Sequence, residues 1–187
     1  MMAAEEAPIT LLIDRANQGD AEALNEIFAM LYPELRSLAR SRLRRNAKLT
    51  LLETTGLLHE SYLRLVKLGK LNVVSRAHFL AYAARTMRSI VVDFARQRMA
   101  ERHGGGQQEE EVDTQIADDR QGEQEVIRVH DALHDLAKVD ERLVRVVEMR
   151  YFGGLTEDEV AEAMGVSTRT VRRDWEKARL MLAVALR

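Results

Sequence analysis

The sequence predicts an all-α protein of two small helical domains joined by a flexible acidic linker. Three observations carry this. Among 187 residues only Pro8 and Pro33 are proline, while Leu, Ala, Arg and Glu, all good helix formers, dominate. Apolar residues recur at helical spacing through most of the chain. Charge comes in blocks: residues 1–102 carry a net +5, residues 103–125 carry −7 and residues 126–187 balance, behind a whole-chain charge of −2. The length suits one or two small domains.

The elements follow in order. Ile9 to Gln18 reads as a short amphipathic helix stopped by Gly19. Asp20 caps the next helix, whose apolar residues are Leu24, Ile27, Phe28, Leu31, Leu35, Leu38 and Leu43. Pro33 falls inside that pattern and predicts a kink or a break. Arg36, Arg40, Arg42, Arg44 and Arg45 gather at its C-terminal end, which the helix dipole favours. After the polar break NAKLT, the residues Leu57, Leu58, Tyr62, Leu65 and Val66 mark a third helix ended near Gly69. The loop GKLNVVSRA leads to a long fourth helix over 76–102, with Phe79, Ala83, Met87, Ile90, Val91 and Phe94 on its buried face and Arg85, Arg88, Arg96, Arg98 and Arg102 projecting elsewhere. From His103 to Glu125 the chain holds three consecutive glycines, heavy acid and few large apolar residues, too little to order itself. Val126 to Leu136 and Glu141 to Tyr151 read as two further helices, the second ended by Phe152-Gly153-Gly154.

The last stretch, GLTEDEVAEAMGVSTRTVRRDWEKARLMLAVAL, holds the densest local signals. Thr156 and Glu159 form a T-x-x-E capping box that opens a helix with Val160, Ala161 and Met164 on its apolar face. Gly165 supplies the turn, Val166 packs into the angle, and Ser167 caps a second helix. Val171, Trp175, Ala178 and Leu182 then form one buried stripe. Two helices on a short glycine-containing turn are arranged as in a DNA-binding helix-turn-helix. Off the stripe the second helix offers Thr168, Arg169, Thr170, Arg172, Arg173, Glu176 and Lys177. Arginine can bind guanine O6 and N7 with two hydrogen bonds, whereas threonine and lysine suit phosphate. The competing reading is a solvated charged face on a core hairpin.

Other chemistries are excluded or weak. With no cysteine there is no disulfide, thiolate metal site or cysteine nucleophile, and a reducing, cytoplasmic setting fits. The acidic start MMAAEEAPITLL has no signal-peptide pattern, and no apolar run approaches the ~20 residues of a membrane span. His59-Glu60 begins like H-E-x-x-H, but residue 63 is Leu. His130 and His134 share a helix face without a third ligand, so no metal is expected. Gly104 to Gly106 precede no G-K-[ST], so they form no phosphate loop. No catalytic constellation is present; neither an enzyme nor a cofactor is expected.

In three segments the chain resembles a bacterial RNA polymerase sigma factor of the extracytoplasmic-function (ECF) type, a branch of the sigma-70 family. The stretch from Arg142 to Leu182 is similar to the family's fourth region, which reads the −35 promoter element. HESYLRL, His59 to Leu65, is similar to the second-region core usually written QETFLRL. FLAYAARTMRSIVVDFARQR, Phe79 to Arg98, is similar to F-x-x-W-L-x-x-I-A-R-N-x-x-x-D-x-x-R. The resemblance covers almost the whole chain and implies residues 1–102 as the second region, 103–125 as the linker and 126–187 as the fourth region, with no further domain after Arg187. It implies core RNA polymerase as partner, through the β′ clamp and the β flap, together with promoter DNA, and neither a membrane nor a small-molecule substrate. Thr168, Arg169, Thr170, Arg172, Arg173 and Lys177 would read the −35 element. Thr55, His59, Glu60 and Arg64 would dock on β′. Lys70, Asn72, Arg76, Tyr82, Arg85, Arg88, Arg96 and Arg98 would melt and hold the −10 strand. Phe79 reads as core by its spacing, while Tyr82, at the family's tryptophan position, is either core or a stacking platform. The linker either spaces the domains or, as in the family, threads an acidic strand toward the active-site and RNA-exit channel.

The chain departs from the family just before HESYLRL. Where the pattern is D-A-E-D, Glu53, Thr54, Thr55 and Gly56 stand, so two carboxylates expected to face β′ are missing. A phosphothreonine adds about −1.5 to −2 charge at pH 7. Thr55, or less favourably Thr54, is therefore a candidate phosphorylation site, and the subgroup with T-x-L-x-H-E-x-Y-L-R-L, tied to Ser/Thr kinases, resembles this chain. The plainer reading makes Thr55 a helix N-cap. An anti-sigma factor is the other regulator the family admits. Ser89 replaces the family's asparagine and His59 its glutamine. The alternative function is a helix-turn-helix transcription regulator whose residues 1–102 form a helical sensing domain; a third is an adaptor that binds helical proteins and no DNA.

Overall fold

The computed structural model describes residues 3–45, 53–104 and 114–187. They form helices α1 (Ala3–Asn17), α2 (Ala21–Met30), α3 (Tyr32–Arg45), α4 (Thr54–Leu68), α5 (Arg76–Gly104), α6 (Thr114–Val139), α7 (Glu141–Val147), a π-helical turn (Glu148–Phe152), α8 (Glu157–Met164) and α9 (Thr168–Ala185). No strand occurs among the described residues.

The N-terminal half is a bundle around α5. In α1, Ile9, Leu12, Ile13 and Ala16 recur at helical spacing and are buried. The helix begins at Ala3, earlier than the periodicity predicts, and includes Pro8. Asp20 caps α2 by accepting from the Glu22 and Ala23 N–H groups. Arg15 donates to Asp20 at 2.8 Å, tying the end of α1 to that cap. At Pro33 the helix breaks outright: α2 stops at Met30 and Pro33 sits in the first turn of α3, where its missing N–H costs nothing. Phe79 is fully buried and meets Phe28 edge to face at 5.9 Å; Phe28 also meets Tyr62 at 5.1 Å. Each fully buried side chain of this size contributes about 1.5–3 kcal/mol. Gly69 ends α4 in the left-handed region at φ 67°, which a β-carbon would strain.

Two local expectations are corrected. Thr55 is not the N-cap of α4. Glu53 holds that position with no side-chain cap bond, and both threonines lie within the first turn. The linker over 103–125 also divides. His103 and Gly104 finish α5, residues 105–113, including Gly105 and Gly106, lie outside the described residues, and Thr114 to Glu125 are helical as the start of α6. Composition underestimates this start because Glu123 is fully buried against Arg98, at 3.2 Å, a partner 25 positions earlier in the chain. The NAKLT break and the side chains of Arg44, Arg45 and Arg102 are likewise outside the described residues.

The C-terminal half wraps α6 and α7 around α9. Leu133, Leu136, Leu143, Val144, Val147 and Ala178 form one apolar cluster. The larger core crosses from the first half into the second, joining Met87, Ile90 and Val91 of α5 to Val126, Val146, Met149, Val160 and Val171. The expected helix to Tyr151 is α7 followed by the π turn, closed by the Gly153 N–H donating to the Glu148 carbonyl at 2.7 Å, an i to i+5 bond. A β-carbon at Gly153 would meet the Met149 carbonyl oxygen at 2.7 Å, so glycine permits this tight exit.

Candidate nucleic-acid interface

The helix-turn-helix is built by its caps. The Thr156 hydroxyl accepts from the Glu159 N–H at 3.3 Å while the Glu159 carboxylate accepts from the Thr156 N–H at 2.8 Å. Gly165 turns the chain at φ 65°, a left-handed conformation suited to glycine, and Ser167 caps α9 by accepting from the Thr170 N–H. Val171 and Ala178 are buried, Trp175 and Leu182 half-buried, so one stripe anchors α9 and leaves the other side out. On that side Arg169 is exposed, and the Arg172 and Arg173 side chains are 68% and 72% exposed. Thr168 and Thr170 are half-buried at the first turn. Lys177 is exposed and lies 3.9 Å from Asp140.

Acidic neighbours meet two of these arginines, Arg172 through Glu157 and Arg173 through Asp174 at 3.4 Å. The Arg172 Nε donates to Glu157 at 2.5 Å, which holds the Glu157 carboxyl below its ordinary range and raises the guanidinium's. Arg150 meets the same Glu157 at 3.2 Å and lies 4.8 Å over the Trp175 ring. Sequence reading missed Asp174. It is buried within α9, and its carboxylate accepts from Arg142 Nε at 2.7 Å. That pair locks α7 to α9 across 32 positions, a partnership no local pattern signals.

The second group of basic residues surrounds α5. The loop before it is pinned by Asn17, also missed: its side-chain amide donates to the Val73 carbonyl at 2.7 Å and accepts from the Val73 N–H at 3.2 Å. Val73 is thereby buried and Lys70 and Asn72 are exposed. Arg76 pairs with Glu34 at 2.7 Å. Tyr82 is half-buried against the core, and Asn72, Tyr82, Arg85, Arg145 and Glu148 line a cavity of about 290 Å³.

The α5 arginines do not all project as expected. Arg85 and Arg96 are exposed, but the Arg88 side chain is 12% exposed and that of Arg98 18%. The reason is the C-terminal half. Arg88 donates to Glu148 of the π turn at 2.5 Å, and Arg85 lies 3.8 Å from the same carboxylate. Arg96 meets Asp131 of α6 at 3.2 Å. The Arg42 guanidinium lies over the Phe152 ring at 4.1 Å, and that of Arg88 at 5.4 Å.

On α4, Thr55 and His59 are exposed and Thr54 and Glu60 half-buried. Leu63 and Leu68 are exposed apolar residues on the same helix. Arg64 bridges inward: it meets Glu60 at 3.2 Å and donates to Asp93 of α5 at 2.8 Å. Among the described residues no group of three or more His, Asp or Glu side chains could hold a metal ion. None of their helices is long and apolar enough to cross a membrane.

A protein-family model described as ECF sigma factor matches residues 6–187. No curated protein matches the chain.

Proposed function

The chain belongs to the ECF sigma factor family, and from that premise we propose that it binds core RNA polymerase and directs initiation at its promoters through two separate DNA surfaces. The observation that carries this reading is the outer face of α9. Its start is fixed by Ser167, its inner stripe is buried, and Arg169, Arg172 and Arg173 stand free of the core. Such a face enters the major groove at the −35 element, with arginines on base edges and Thr168, Thr170 and Lys177 on phosphates.

The second surface is α5 with the loop 69–75. Lys70, Asn72, Arg76, Tyr82, Arg85, Arg88, Arg96 and Arg98 hold and read the melted −10 strand, with Tyr82 as its aromatic platform. Polymerase docks on the outer side of α4. Thr55 and His59 make the contact, Glu60 contributes from the same helix, and Arg64 orients the surface through Asp93. A phosphate on Thr55, or failing that Thr54, supplies the negative charge that this docking face lacks. The β flap occupies a second contact, the apolar groove of about 620 Å³ lined by Val129, Leu133, Val147, Trp175, Leu182 and Leu186. The exposed Leu180 and Val184 on α9 extend the apolar surface of that helix.

The test is partner choice. A sigma factor co-elutes with core polymerase in a purified mixture and has little affinity for duplex promoter DNA alone. A helix-turn-helix regulator with a sensing domain does the opposite, binding paired half-sites tightly as a dimer without polymerase.

A further inference from the structure

The α5 arginines are occupied by the chain itself. With 3.6 residues per turn, Arg85, Arg88 and Arg96 fall within an arc of about 80° on α5. Carboxylates of the C-terminal half cover that arc: Glu148 takes Arg88 at 2.5 Å and Arg85 at 3.8 Å, and Asp131 takes Arg96 at 3.2 Å. On the opposite flank, the N-terminal stretch of α6 reaches Arg98 with the fully buried Glu123, at 3.2 Å. Three carboxylates from two elements thus meet four arginines on one helix. Further contacts reinforce the arrangement, since the Arg42 and Arg88 guanidinium groups both lie over the Phe152 ring and the main core runs through Met87, Val91, Val126 and Met149.

We propose that this contact is an internal mask: in the free chain, Glu123, Asp131 and Glu148 stand where strand phosphates would stand, and α5 takes single-stranded DNA only when the C-terminal half moves away. The inference rests on the reading of α5 as the −10 surface. Its logic is competitive. A carboxylate and a phosphate offer guanidinium the same paired oxygen acceptors, so both cannot occupy Arg88 at once. The closed state is also poised for exchange. Burying an ion pair costs desolvation that its attraction only partly returns, and Arg88 Nε meets no hydrogen-bond acceptor among the described residues. Polymerase would open it by binding the two halves at separate places, so that a free chain does not engage single strands elsewhere.

The test uses the full chain without polymerase and fluorescent oligothymidylate as the probe. The triple variant Glu123→Gln, Asp131→Asn, Glu148→Gln keeps the shape of each side chain and removes its charge. It is expected to bind the probe about tenfold or more tighter than wild type, with a salt dependence that marks phosphate contacts. Equal affinity overturns the mask. Because Glu123 is buried and its variant could lose its fold, a second measurement uses the wild-type interface. The chain has no cysteine, so spin labels at Gln97→Cys on α5 and Asp135→Cys on α6 report the separation of the halves. Saturating probe is expected to replace the short distance with longer ones; probe bound with the short distance retained overturns the proposal. Failure of the underlying reading looks different. In that case Arg85→Ala and Arg96→Ala leave promoter opening by the polymerase-bound chain intact, and the mask falls with it.

Discussion

Arg172 of α9, the second helix of the helix-turn-helix, donates its Nε to the carboxylate of Glu157, the first residue of α8, at 2.5 Å. The contact joins the two helices of the helix-turn-helix on their exposed side. It orients the Arg172 guanidinium without burying it, since the side chain stays 68% exposed. An exposed pair of this kind is weak and screened by salt, so a DNA base edge can replace Glu157.

Arg172→Ala should therefore weaken −35 recognition by about 1–3 kcal/mol, the discrimination carried by one paired arginine–guanine contact. Affinity for core polymerase should not change, because Arg172 lies outside α4 and does not line the α9 groove assigned to the β flap. Competition binding of the polymerase complex to promoters with altered −35 elements measures the first; titration of core polymerase measures the second. A joint fall would mean that the two surfaces are not separate.

Phosphorylation should act at one position on α4. Thr55→Glu and kinase-treated protein should bind core polymerase more tightly than wild type, and Thr55→Ala should not respond to the kinase. The structure sharpens the comparison, because Thr55 is exposed and Glu53, not Thr55, holds the N-cap position. Losing the Thr55 hydroxyl therefore removes no cap, and Thr55→Ala should melt within error of wild type. Equal polymerase affinities across the series would remove the switch.

The capping box of α8 gives a stability prediction. Thr156→Ala removes the acceptor of the Glu159 N–H and should cost about 1 kcal/mol. Urea unfolding should show a lower midpoint with an unchanged slope. The same change loosens the platform that holds α9.

Acid should favour the open chain. His130 of α6 lies 3.1 Å from Arg88, and its pKa is lowered from 6.5 by burial first, then by Arg88, Arg96 and His134, with Asp131 opposing. A histidine depressed in the closed state is neutral there, so the closed state loses stability as pH falls through 6.5 toward that lower value. The label separation between α5 and α6 should lengthen over this range, and His130→Gln should flatten the response. A separation that ignores pH in both proteins would count against this role for His130.

The helix-turn-helix was legible in the sequence because every device in it is local: Thr156 with Glu159, Gly165 at the turn, Ser167 with Thr170. The helices of the first half were legible for a similar reason, since Phe79, Met87 and Val91 repeat at the period of a helix. What escaped was pairing over distance. Asp174 looks like a surface acid until Arg142 is beside it, and Glu123 looks like part of a spacer until Arg98 buries it. Arg88 and Arg98 carry charge on a helix face that sequence alone assigns to solvent. Only the opposing carboxylates of the second half explain why they are not there.

The most direct test of the account is run-off transcription with purified core polymerase and a set of promoter fragments. Core alone should be inactive at these promoters. Core with the chain should start at defined sites, more often with the phosphorylated than with the unmodified form; Arg172→Ala should lower initiation, and Arg96→Ala should block strand opening after binding. Tight binding of the free chain to duplex promoters, with no defined start when core is added, would mean that the chain is not an initiation factor but a helix-turn-helix regulator.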